Sequence, residues 1–292
     1  MTSWIDAVFI APFVEFAFMQ RALLGALMLS LSAAPVGVFL MLRRMSLVGD
    51  AMSHAILPGA AAGFLLYGLE IVPMTIGGLL AGAVVALGAG AVARLTIQKE
   101  DASMAAFYLI SLAVGVVMVS LRGSSIDLMH VLFGTVLALN NDALALIGLV
   151  TGITLVTLPV FWRALVAECL DPLFLRSVSK LGSPVHFIFL GLVVMNLVAG
   201  FQALGTLLSV GLMILPAAAA RFWTQRVGTM CALATAIGAL SSVSGLLLSY
   251  HVALPSGPAI ILSAGVAYAA SVVAGPRGIL VTRLPHLSHR TA

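Results

Sequence analysis

Long apolar runs dominate the sequence, and short breaks rich in polar residues, glycine or proline separate them. The runs are continuous and do not alternate with a period of two, which favours helices over strands. Apolar runs of about 18 residues or more are typical of membrane-spanning helices. The pattern predicts nine spans, near residues 22–42, 49–67, 72–97, 103–121, 143–162, 184–200, 203–221, 227–249 and 257–274.

Composition supports a membrane protein in contact with lipid. Of the 292 residues, 62% are hydrophobic and 8% are charged, whereas soluble domains carry about 25% charged residues. The net charge is +4, but the basic residues are scattered between apolar runs and form no patch, so we expect no nucleic-acid partner. Cys169 and Cys231 are predicted to be unpaired thiols.

The basic residues predict the orientation of the chain. With the N-terminus outside, only Arg21 and Arg122 fall on the outer side. The other twelve of the 14 basic residues fall on the cytoplasmic side, as the positive-inside rule expects: Arg43, Arg44, Arg94, Lys99, Arg163, Arg176, Lys180, Arg221, Arg226, Arg277, Arg283 and Arg290. An odd number of spans then places the C-terminus inside.

The predicted fold class is an all-α polytopic membrane protein with about eight to nine transmembrane helices. The short apolar segment 124–140 is interpreted as a re-entrant helix, because a full crossing there would reverse every later charge. We expect a single permease domain over 1–292. Within this domain we distinguish an N-terminal segment (1–15), a cytoplasmic coupling region with a coupling helix (165–182) and a C-terminal tail (276–292).

Asp50 and His54 are the leading candidates for a functional site. They are four positions apart, so they share one helix face, and a carboxylate within a membrane span is usually functional. Carboxylate with imidazole suits zinc, manganese or iron. Two alternatives involve no metal: Asp50 caps the helix, or it pairs with Arg43 or Arg44. A site inside the membrane requires segment 43–49 to be buried, or the arginines to snorkel.

Asp171-Pro172 is the second candidate, in the longest predicted cytoplasmic loop. Aspartate followed by proline is typical of a helix start, and a short helix there could dock into a partner or simply lie at the membrane interface. His186, Asn196 and Gln202 could face a transport pathway, but interhelical hydrogen bonds are the commoner use of such residues. No phosphate-binding loop GxxxxGK[ST], nucleophile elbow GxSxG or HExxH motif occurs, so we expect no enzyme and no ATPase in this chain.

Several motifs follow one another in a specific order. They are Arg43-Arg44-Met45 with Gly49-Asp50-Ala51-Met52-Ser53-His54-Ala55, Leu132-Phe133-Gly134 with Asp142, Asp171-Pro172 with Gly182, Gly205-Thr206-Leu207-Leu208 with Leu215-Pro216-Ala217-Ala218-Ala219-Ala220-Arg221, and Ser249-Tyr250-His251 with Leu254-Pro255-Ser256-Gly257-Pro258. Together they resemble the permease subunits of zinc/manganese-type ABC metal importers.

The resemblance implies a multi-pass protein of the bacterial inner membrane that forms a homodimer in lipid. It implies two kinds of protein partner, cytoplasmic ABC ATPase subunits and an extracytoplasmic metal-binding protein. Asp50 and His54 would bind the transported metal ion, zinc first and then manganese or iron, and Asp171 and Pro172 would belong to the ATPase-docking region. No intrinsic cofactor is expected. The alternative is a secondary transporter in which Asp50 and His54 relay protons.

Overall fold

The computed structural model describes residues 9, 11–68, 70–121, 139–171 and 182–280, and within these residues it contains helices and no strands. We number the helices in chain order: α1 (Ala11–Glu15), α2 (Ala17–Leu42), α3 (Ser46–Ala55), α4 (Leu57–Tyr67), α5 (Ile71–Leu95), α6 (Glu100–Leu121), α7 (Asn141–Val160), α8 (Trp162–Leu170), α9 (Gly182–Leu204), α10 (Thr206–Arg221), α11 (Val227–Val252) and α12 (Ser256–Ala274).

Seven helices of the described chain are long and apolar enough to cross a membrane. They are α2, α5, α6, α7, α9, α11 and α12, and each lies where a span was predicted. The remaining predicted spans, 49–67 and 203–221, correspond to the pair α3–α4 and to the 16-residue helix α10. The polytopic helical fold is therefore confirmed, whereas the total of eight to nine crossings stays a prediction.

The prediction of one continuous helix over 49–67 is wrong. The chain breaks between α3 and α4 at Ile56, and Pro58 stands in the first turn of α4. Proline has no N–H to donate to the carbonyl of His54 four residues earlier, and its ring clashes with that carbonyl in a straight helix. Ser111 of α6 donates a hydrogen bond to the carbonyl of Ala55 at the break, over 2.9 Å.

The core of the molecule surrounds α2. In the most apolar stretches of α2 and α9, 72% of residues are buried, against 17% in α6 and 28% in α12. Side-chain hydrogen bonds join the core helices: Asn196 donates to Thr154 over 2.9 Å, and the hydroxyls of Ser30 and Ser242 are 3.3 Å apart. The interhelical bond predicted for Asn196 is confirmed. The more exposed apolar helices are suited to contact lipid or a second protein.

Contacts between the described helices identify the two ends of the helix bundle. Phe39 packs edge-on against Trp162 with ring centroids 5.4 Å apart, and Trp162 approaches Gly228, so the end of α2 lies beside the beginnings of α8 and α11. We call this the Arg43 end. Phe16 contacts Tyr250 at the other end, with centroids 5.8 Å apart. Helix α5 has 25 residues, which corresponds to a length of about 37 Å.

The segments 124–140 and 165–182 are described only in part. The proposed re-entrant helix 124–140 lies almost entirely outside the described residues, except that Asn140 accepts a hydrogen bond from the backbone N–H of Ala143 and so caps α7.

The coupling region was predicted to lie in a loop from residue 165, but its first part is helical. Residues up to Leu170 belong to α8, which buries Leu165 and Glu168 against the core.

Candidate functional site

Helix α3 places Asp50 and His54 on one face. It begins at Ser46, and the residue at its N-cap position is Met45. Asp50 is therefore the fifth residue of the helix, and the alternative in which it caps the helix is wrong. One oxygen of Asp50 (Oδ1) lies 4.0 Å from Nε2 of His54. The predicted pairing of these two side chains on one helix face is thus present.

A cavity of about 280 Å³ opens beside this face. It is lined by the carboxylate-bearing Asp50 of α3 and by Asp101 and Tyr108 of α6. The His54 ring faces Tyr108 with ring centroids 6.4 Å apart. The side chain of Asp50 is 65% exposed and that of His54 is 31% exposed, so the carboxylate has an open side that no described residue covers.

The geometry of the pair suits a shared cation. Transition-metal bonds to imidazole nitrogen and carboxylate oxygen are about 2.0–2.2 Å long, so two ligands of one ion are at most about 4.4 Å apart. The separation of 4.0 Å falls within that limit. Nδ1 of His54 is buried and has no hydrogen-bond partner in the described chain. No group of three or more His, Cys, Asp or Glu side chains with metal-binding geometry occurs among the described residues, so within that part of the chain Asp50 and His54 stand as a pair of ligands.

The second alternative, in which Asp50 pairs with a neighbouring arginine, is also wrong. Arg43 points away from Asp50 and forms an ion pair with Glu168, with Nη2 and Oε1 3.4 Å apart. No ion pair joins Arg44 to Asp50 within the described residues, although both line the same cavity. Met45, Val48 and Gly49 are buried. Arg44 and Leu47 are exposed, so the 43–49 segment meets only in part the burial condition that a site within the membrane requires.

Sequence reasoning missed the contribution of α6. Residues 101, 104, 105 and 108 all line the cavity beside Asp50, and their spacing of three, four and seven places them on one helix face. That periodicity was available in the sequence, but nothing in it showed which helix the face would meet. Asp101 and Arg44 also line an adjacent cavity of about 460 Å³, which extends along the Arg43 end to Glu168 and Cys169.

A third cavity lies at the far end of α5. Its volume is about 660 Å³, and Glu70, Asn140 and Asp142 line it where α5 and α7 begin. Two carboxylates at this opening give it a negative character, which attracts cations. The sequence pointed to Asp142 through the family motif but gave no indication that Glu70 lies beside it.

The other predicted site residues are only partly described. Asp171 ends α8 in an extended conformation, with φ −150° and ψ 93°. That conformation is compatible with the start of a new helix, but Pro172 and the residues to 181 lie outside the described chain. His186 and Glu168 are both buried at the Arg43 end, where Arg43 contacts them.

The arrangement now has a family context. Residues 15–275 match the ABC 3 transport family. The chain belongs to this family. It is 33% identical to the manganese import system permease protein ScaB of Streptococcus gordonii, over 92% of this chain and 95% of that protein. It is 30% identical to the manganese transport system membrane protein MntC of Listeria monocytogenes, over 94% and 98%.

Further matches widen the comparison. A probable iron transport system membrane protein of Haemophilus influenzae is 32% identical over 85% of this chain and 90% of that protein. The solved structure of PsaBC from Streptococcus pneumoniae in complex with Fab superposes with a TM-score of 0.82 at 32% identity, over 93% of this chain and 96% of that chain. The predicted resemblance to metal importer permeases is confirmed. The chain is a multi-pass integral protein of the bacterial plasma membrane.

Proposed function

We propose that this chain is the permease subunit of an ATP-driven ABC importer that moves a divalent transition metal, manganese first and iron second. The observation that carries the proposal is the Asp50–His54 pair, with Asp50 at the edge of a cavity, in a chain similar along nearly its whole length to manganese permeases. Membership of the ABC 3 transport family favours ATP-driven import over the gradient-driven alternative.

The order of metals differs from the sequence-based expectation. Zinc was placed first, but the similar proteins are named for manganese and iron. The ligand types do not distinguish these ions, since imidazole and carboxylate bind all three. The proposal therefore follows the relatives and ranks manganese first.

Asp50 and His54 would bind the ion only transiently. Two protein ligands leave most of the coordination sphere to water or to a second chain, so the ion is held weakly enough to leave again. The open side of Asp50 supports a homodimer in which the partner completes the site. A negative cavity at Glu70 and Asp142 supports entry of a cation from the outer side, where an extracytoplasmic metal-binding protein would deliver it.

The remaining partners and the topology belong to the same proposal. Cytoplasmic ABC ATPase subunits would contact the region of Asp171 and Pro172, at the end of the packed helix α8. Nine crossings with the N-terminus outside would place the Arg43 end at the cytoplasmic surface. The exposed apolar faces of α6 and α12 are compatible with lipid around the outer helices.

The decisive experiment measures uptake of radioactive manganese in cells that lack other importers. Asp50→Ala and His54→Ala should each reduce uptake to the level of the empty vector, because each removes one of two ligands. Glu15→Ala is the matched control, since this exposed carboxylate lies at the end of α1 and lines none of the three cavities described above. If both variants reach the membrane in wild-type amounts and still show full uptake, Asp50 and His54 do not form the transport site.

A second measurement tests the energy source. An importer subunit should co-purify with an ATPase, and uptake should follow ATP hydrolysis and resist a protonophore. If the purified chain instead transports manganese alone in vesicles with a proton gradient, the ABC assignment of its function is wrong.

A further inference from the structure

Arg43 is the centre of a buried polar cluster at the end of α2. Its side chain is 8% exposed, and that of its ion-pair partner Glu168 is 1% exposed. Arg43 also contacts Nδ1 of His186 with its Nη2 atom, and its guanidinium lies over the ring of Phe189 with 5.0 Å to the centroid. One side chain thus joins three helices: α2 at its end, α8 through Glu168, and α9 through His186 and Phe189.

The positions of these contacts along the chain are informative. Glu168 lies three residues before Asp171, and His186 lies in the first turns of α9. Arg43 therefore contacts both flanks of the 171–181 segment, the one before it and the one after it. In the other direction, Arg43 is only three residues from the start of α3, which carries Asp50 and His54.

Energetics argue against a purely stabilising role for the cluster. Removing two charges from water costs free energy that their attraction recovers only when the remaining polar atoms are also satisfied. Here Nη1 of Arg43 and Oε2 of Glu168 have no hydrogen-bond partner among the described residues. Well-packed apolar side chains of similar volume are often equally or more stabilising in such places. A buried ion pair of this kind is better suited to fixing a relative position than to adding stability.

The cluster borders open volume on one side. Arg43 and Glu168 line the cavity of about 460 Å³ together with Lys99 and Cys169. On its other side α8 is packed, with Leu165 buried against the core, so a displacement of α8 is passed on to the residues that contact it. The next residue, Arg44, has a left-handed backbone conformation with φ 60°. It lines both this cavity and the one beside Asp50.

We propose that Arg43 is the positioning residue that transmits movement of the coupling region to the metal-binding helix α3. The inference rests on the proposed function. When the ATPase subunits displace the 171–181 segment, Glu168 and His186 move with its flanks, and Arg43 moves the start of α3 with them. Asp50 and His54 then become accessible to one side of the membrane and then to the other, in step with ATP hydrolysis.

The test uses the permease assembled with its ATPase in vesicles, and it measures manganese ions transported per ATP hydrolysed. The main variant is the double substitution Arg43→Met with Glu168→Leu, which replaces the ion pair by apolar side chains. We expect this complex to assemble with wild-type thermal stability and to hydrolyse ATP. Its transport per ATP should fall at least about fivefold, the lower end of measured coupling between sites.

Two further variants sharpen the result. Glu168→Gln keeps the shape of the side chain and removes the charge, so it should also lower transport per ATP. Ser30→Ala with Ser242→Ala is the matched control, because it removes another buried polar pair between helices that does not contact α8. This control should keep the wild-type ratio.

Each outcome decides the inference. A stable double variant with the wild-type ratio overturns it, because the ion pair then transmits nothing. A double variant that cannot assemble also overturns it, because the pair would then be a stabilising element. Asp50→Ala is measured in parallel: if it loses transport while the double variant keeps the wild-type ratio, only the role of Arg43 falls. If Asp50→Ala transports like the wild type, the proposed function itself fails.

Discussion

Gly59 of α4 and Gly77 of α5 lie in direct backbone contact. A Cβ atom built on either glycine would overlap the carbonyl oxygen of the other. Neither neighbour can move aside cheaply, because both belong to helix backbones. The second half of the broken helix is therefore held against α5 by a contact that only glycine permits.

Gly59→Ala and Gly77→Ala should each destabilise the protein by about 1–3 kcal/mol, the range for overpacking a close contact. Thermal unfolding in detergent measures the effect. Gly152→Ala is the control, because an added methyl there meets nothing within 4 Å and alanine is the better helix former. A Gly59→Ala protein as stable as the Gly152→Ala protein would contradict the close contact.

Pro58→Ala should straighten the helix at the break and reduce transport. Alanine restores an N–H that can bond to the carbonyl of His54, and it removes the ring that forces the chain to bend. The protein should unfold at the same or a higher temperature, while manganese uptake falls because α3 no longer meets α6 at the same angle. Pro159→Ala near the end of α7 is the control, and we expect it to keep uptake. Unchanged uptake by Pro58→Ala would show that the break is dispensable.

Asn196→Ala should cost about 0.6–1.7 kcal/mol, in line with measured interhelical hydrogen bonds in membrane proteins. The side chain of Asn196 is fully buried and donates to Thr154 over 2.9 Å, so its removal leaves that hydroxyl without this bond. Thermal unfolding again gives the readout. Ser263→Ala is the comparison, because the hydroxyl of Ser263 donates a hydrogen bond within its own helix, to the carbonyl of Ala259. We expect its removal to lower the stability by less than Asn196→Ala does. Equal losses would argue against a special role for the bond between α7 and α9.

Cys169 should react slowly with maleimide. The thiol lies in α8, beyond the apolar span 141–160, and its pKa is raised to about 11, because burial outweighs the lowering effect of Arg43 and Glu168 adds a smaller increase. Because the thiolate is the reactive form, the rate at pH 8 should be roughly a hundredfold below that of a thiol with the ordinary value near 9. The rate should keep rising with pH up to about pH 11. The measurement uses Cys231→Ser, which leaves Cys169 as the single thiol; a rate that levels off near pH 9 would contradict the burial.

Most of the helical framework was predictable because lipid imposes a simple rule on sequence. Seven apolar runs became seven long helices within a few residues of the expected bounds, since length and hydrophobicity alone decide whether a helix can span a membrane. The break at Ile56 was not expected, although Pro58 was visible. Proline is often tolerated within spanning helices, so its presence alone does not specify a break.

The site was predictable only in its local part. Four-residue spacing places Asp50 and His54 together, because that relation depends on one helix. Asp101, Tyr108 and Glu168 come from other helices, and only packing brings them near α3 and Arg43. The alternative pairing of Asp50 with Arg43 at the membrane edge fails for the same reason: Glu168, 125 positions away from Arg43, gives that arginine a closer partner.

The break at Ile56 also has a mechanical consequence. On one side, α4 is held against α5 by its glycine; on the other, α3 is a short rod of 10 residues whose inner face, with Val48, Met52 and Ala55, is packed in the core. Asp50 stands six residues from Ile56, about 9 Å along the rod, so a pivot of about 10° would displace its carboxylate by about 1.6 Å. Against metal–oxygen bonds of about 2.0–2.2 Å, such a displacement is enough to release a ligand. A small tilt of α3, made together with the side chains packed against it, would thus suffice to release the ion.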